Sequence, residues 1–106
     1  MSNWFAYDEG RSIGSVSREG GVILRDEEHG SGARVTLKRG GSYISVSCSI
    51  YGWMDHTRFF GSLVEAQREY VLMKPPLANM VENILSAGKG DLKMWEAIAD
   101  FVRRFP

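Results

Sequence analysis

Between residues 43 and 51 polar and apolar side chains alternate without a break. Ile44, Val46, Cys48 and Ile50 take the even positions; Tyr43, Ser45, Ser47, Ser49 and Tyr51 take the odd ones. Successive side chains of a strand point to opposite faces, so the pattern predicts a β-strand with one buried face and one face of hydroxyls. A sheet covered on one side only is characteristic of antiparallel pairing.

Shorter segments of similar character precede it. Residues 13–17, 22–27 and 33–39 read as strands, separated by Gly20-Gly21 and by Gly30-Ser31-Gly32. In the third, Ala33, Val35 and Leu37 share one face, and Arg34, Thr36 and Lys38 share the other. Gly40-Gly41 is a hairpin signal leading into the long strand. Residues 53–60 make a fifth candidate after the bend at Gly52, although both of its faces mix polar and apolar residues. Links this short favour neighbouring antiparallel strands, because a parallel crossover needs a dozen residues or more.

Beyond Gly61 the spacing changes from two to three and four. Ser62-Leu63-Val64-Glu65 fits a capping box. From there Leu63, Ala66, Tyr70, Met73, Leu77, Met80 and Ile84 form the apolar stripe of an amphipathic helix. Pro75 and Pro76 interrupt it, so the helix is expected to end near Met73 and restart at Pro76, even though the stripe keeps its phase across them. Gly88 is the expected C-cap and Asp91 the expected N-cap of a last helix. That helix carries Leu92, Trp95, Ile98, Ala99, Val102 and Phe105, and ends with Arg103 and Arg104, where cations complement its dipole. The expected fold is a single α+β domain over residues 1–106, β-rich over 1–61 and helical over 62–106. A four- to five-stranded antiparallel meander is followed by two or three C-terminal helices packed on one face.

Composition narrows the functional classes. The 106 residues carry 13 basic and 13 acidic side chains, six of each sign in residues 1–41 and seven of each in 42–106. No basic segment is present to release counterions from a nucleic-acid backbone, so no nucleic-acid partner is expected. One cysteine, Cys48, permits no intramolecular disulfide, and its place in the apolar register makes it a small buried hydrophobe. Residues 1–10 show neither a basic nor an apolar signal region, and no apolar run approaches the roughly 20 residues that span a bilayer. A cytosolic protein without membrane attachment is the expectation.

Four places have enough chemical character to weigh. Ser45, Ser47 and Ser49 between Tyr43 and Tyr51, with Trp53 just beyond, offer small polar groups between amphipathic rings, a surface suited to a ligand, a partner or a second copy of the chain. Asp26-Glu27-Glu28-His29 gathers oxygen and nitrogen ligands, yet alternation sends neighbours to opposite faces and no metal site is expected. His56 and Arg58 share a strand face, so His56 could act as acid or base while Arg58 holds an anion. Asp55 would point away from His56, and no nucleophile motif such as G-x-S-x-G occurs. Gly88-Lys89-Gly90-Asp91 precedes a helix but lacks P-loop spacing, so it reads as a linker. The reading with most support is a non-catalytic binding or interaction module, without cofactor, that forms a homodimer or engages a protein partner. The alternative is an enzyme acting on a small anionic substrate through His56 and Arg58.

Overall fold

Residues 3–106 are described by a computed structural model. Strands β1 (Trp4–Ala6), β2 (Val22–His29), β3 (Ala33–Arg39), β4 (Ile44–Ile50) and β5 (Met54–Phe60) are followed by helices α1 (Leu63–Asn79) and α2 (Asp91–Arg104). The strands form one antiparallel sheet in sequence order, β1-β2-β3-β4-β5. The fold is therefore α+β, as the change of period near Gly61 predicts.

The first strand is not the expected one. Residues 13–17 form a chain of turns in which only Val16 bridges to Val22. Gly10 and Gly14 adopt φ of 84° and 85°, which breaks the pleat on both sides of Ile13. The first strand is instead β1, Trp4–Ala6, at the edge of the sheet, too short to show a period.

Pairing places Ala33, Val35 and Leu37 beside Ile50, Cys48 and Val46. These six side chains are 0–3% exposed and meet Ala66, Tyr70, Met73 and Leu77 of α1, all fully buried. Each such large apolar side chain contributes about 1.5–3 kcal/mol when buried. Ser62 caps α1 by accepting the Glu65 N–H at 3.2 Å.

The expected break at Pro75-Pro76 does not occur. α1 runs through both prolines and continues into a π-helical turn, Met80–Leu85. A proline inside a helix costs about 3 kcal/mol. Here Tyr70 and Met73 before the prolines, and Leu77, Met80 and Val81 after them, are 0–3% exposed. Keeping those five in phase on the sheet outweighs the lost hydrogen bonds.

α2 also differs in detail. Gly90, with φ of 97°, stands at the cap position and Asp91 is already helical, with no side-chain cap bond. Its buried face is Met94, Ile98, Phe101 and Phe105, whereas Leu92, Trp95, Ala99 and Val102 are exposed. Among the described residues no helix is long and apolar enough to cross a membrane.

Candidate functional site

Both helices lie on one side of the sheet, and cross-strand register arranges the other side into three rungs. The first runs Glu28, Arg34, Ser49, Asp55; the second Asp26, Thr36, Ser47, Thr57; the third Ile23, Lys38, Ser45, Phe59. The first two are built from polar positions of the four adjacent strands, and the third mixes Lys38 and Ser45 with Ile23 and Phe59.

Asp26 anchors this surface. Its side chain is fully buried and accepts hydrogen bonds from Arg34 Nε at 2.9 Å, Arg34 Nη2 at 2.7 Å and Thr36 Oγ1 at 3.0 Å. A two-pronged guanidinium–carboxylate contact fixes direction as well as charge. The Arg34 guanidinium also stacks 3.5 Å from the centre of the Tyr7 ring, so the arginine is held along one edge by Asp26 and on one face by Tyr7. In the next rung Ser47 and Thr57 share a hydroxyl–hydroxyl bond of 3.0 Å. The Lys38 ammonium reaches the exposed Glu19 carboxylate at 3.5 Å.

The turns of residues 11–21 rise beside these rungs as a wall. Gly14 N–H donates to Ile23 O at 2.7 Å, and Ile23 N–H donates to Ser15 O at 2.9 Å, tying wall to sheet. Between wall and sheet lies a groove of about 530 Å³. Arg18 and Glu19 stand on its wall, with Arg34, Thr36, Lys38, Ser47, Ser49, Asp55 and Thr57 across its floor. Arg18 and Asp55 have no ion-pair partner among the described residues, so the groove presents one cation and one anion to an incoming group.

No family model, curated protein or solved structure compared with the chain matches it. The groove is therefore read from its own chemistry.

The structure distributes the residues singled out in the sequence. Ser47 and Ser49 line the groove. Ser45, in the third rung, is 1% exposed and so covered. Tyr43 stands at that end in edge contact with Phe59, ring centres 5.8 Å apart. Its ring fits because Gly40 has no side chain: a Cβ there would come within 2.6 Å of Tyr43 Cε1. Tyr51 closes the other end and donates its hydroxyl to Glu28. Trp53 leaves the face altogether, since alternation stops in the turn after β4; it packs on Trp95, ring centres 5.1 Å apart.

His56 and Arg58 do share a face, but it is the helix-covered one: they pair with Cys48 and Val46. His56 Nε2 lies 2.6 Å from Phe105 O. Arg58 donates to Pro106 O at 3.1 Å and to Glu69 Oε1 at 2.9 Å. Both are engaged by chain that follows them, and Arg58 has only 11% of its side chain exposed. Burial pushes the Cys48 thiol up to about 12, which removes it as a nucleophile at neutral pH.

In the acidic stretch, Asp26 and Glu28 face the groove side while Glu27 and His29 face the helices. There Glu27 accepts from Tyr70 Oη at 2.8 Å and from Lys74 Nζ at 3.0 Å. Burial raises the Glu27 carboxyl, but those two hydrogen bonds outweigh it and hold the group below its ordinary range. His29 Nδ1 accepts the Ser31 N–H at 3.0 Å, so its proton sits on Nε2, directed at Glu82 in the π-helical turn. This second polar set links β2 to α1 and is internally satisfied. No periodicity joins residues so far apart in the chain, so sequence reasoning missed it.

Proposed function

We propose that this protein is a non-catalytic interaction module that self-associates and receives an extended polar segment of a protein partner in the groove on its uncovered sheet face. The observation carrying this reading is that groove: hydroxyls and the unpaired Asp55 on its floor and the unpaired Arg18 on its wall, with Tyr43 and Tyr51 at the two ends of the sheet face. Small-molecule sites are mostly apolar cavities that enclose their ligand. A groove lined mainly by charged and hydroxyl side chains matches the carbonyls, amides and mixed charges of a polypeptide better. The fixed Arg34 and the paired Ser47–Thr57 hydroxyls supply a preorganised surface, which lowers the cost of ordering on binding. A cytosolic setting suits a chain whose one cysteine is a buried thiol.

The test is selection from a displayed library of random short peptides on the immobilised protein. Enriched peptides are expected to lose binding at least tenfold with Ser47→Arg or Thr57→Arg, each of which fills the groove floor, and to keep it with Val64→Lys on α1. Absence of enrichment, or enrichment indifferent to the two groove variants, overturns the reading.

A further inference from the structure

α2 is apolar over far more of its surface than the sheet can cover. At about 100° per residue, the buried stripe of Met94, Ala97, Ile98, Phe101 and Phe105 is flanked by a second one of Leu92, Trp95, Ala99 and Val102. Together they span about 220° of the helix, where facing one core needs little more than about 100°. Lys93, Glu96, Asp100, Arg103 and Arg104 crowd into the remainder. The second stripe is open: Leu92 is 72% exposed, Trp95 52% and Val102 36%. Trp53, packed on Trp95, widens it. On α1, by contrast, the exposed Val64 and Val71 are separated by Gln67 and Arg68, and the exposed Leu72 lies about 100° round the helix from Val71, so no stripe forms.

We infer that this stripe is the contact through which two copies of the chain pair, α2 against α2 in antiparallel fashion about a two-fold axis. This rests on the self-association in the reading above and gives it a location away from the groove. Three features select a second copy as the occupant. The steps 92-95-99-102 are three, four and three, the a/d spacing of a helix–helix seam. The spacing reads the same in reverse, so a two-fold axis level with Ala97 sets Trp95 against Ala99 of the second copy and Leu92 against Val102. The large Trp95 then meets the small Ala99, as close packing favours. The antiparallel arrangement also brings the Asp91 end of one helix beside the Arg103 end of the other, joining opposite charges and opposite dipole ends. A closed two-fold contact of this kind is the commonest form of homo-oligomer.

The experiment is sedimentation velocity on the full chain over a tenfold concentration range. The wild type is expected to sediment with twice the chain mass. Leu92→Glu and Ala99→Glu are each expected to halve the mass with unchanged circular dichroism, the melting temperature falling to a value that no longer depends on protein concentration. Ala99→Glu changes a small exposed residue and so keeps the test independent of folding. Ser47→Arg is expected to leave the dimer intact. A monomeric wild type overturns both the pairing and the self-association it rests on. A dimer that survives Leu92→Glu and Ala99→Glu, or that Ser47→Arg splits, overturns the α2 contact alone.

Discussion

Asp26 shows how one residue can order a surface. Its buried carboxylate is the common acceptor for Arg34 and Thr36, so Asp26→Asn leaves a half-buried guanidinium without its counter-charge. Breaking a buried pair from one side costs about 3–5 kcal/mol. Arg34 keeps 29% of its side chain in solvent, which places the expected loss near the lower end, about 3 kcal/mol, read from the shift in denaturant midpoint. A loss under about 0.5 kcal/mol would mean that the anchor is not structural. Val46→Asp is the harsher change: it puts an unpaired charge into a fully buried site and is expected to abolish the folded state. A near-wild-type melt for that variant would invert the register of β4 and the rungs with it. Glu27 gives a pH dependence. Its carboxyl is held below the ordinary 4.5, so its contribution is complete above that value and is lost as pH falls through the lowered one. Glu27→Gln is expected to flatten the acid limb of the stability curve; an unchanged limb would deny Glu27 that role.

At the scale of elements, what could be read in the sequence was what is periodic. β4 and the buried stripe of α1 follow directly from alternation and from steps of three and four, and Ser62 announces the start of α1. Trp4–Ala6 has no period to read, and residues 13–17 imitate a strand because Ile13 and Val16 are apolar even though both are exposed. The prolines of α1 misled because local rules weigh only the lost N–H groups, while the sheet beneath rewards an unbroken stripe. Pro75→Ala restores one backbone donor without touching the buried stripe, and is expected to raise stability by about 1–3 kcal/mol. A loss would mean that the prolines shape α1 in a way the buried stripe does not require. On α2 the two apolar stripes overlap in sequence, so a single face drawn through Leu92, Trp95 and Ile98 mixed buried residues with exposed ones. Only packing separates them. The groove was half visible: Ser47 and Ser49 from alternation, Arg34 and Lys38 from the polar face of β3. Asp26, Arg18 and the wall of residues 11–21 join it through long-range pairing.

At the scale of the whole molecule, the sheet stands between its uncovered face and α2, giving two surfaces of opposite character. The sheet face is polar, charged and partly walled; the outer stripe of α2 is apolar. Their separation is what allows a dimer to keep both grooves open. The measurement that tests the central claim most directly is a residue-resolved amide spectrum of the isotope-labelled protein, titrated with a peptide selected on it. The account predicts shifts concentrated on Arg18, Arg34, Ser47, Ser49, Asp55 and Thr57, with α2 silent. Shifts confined to α2, or spread over α1, would contradict it.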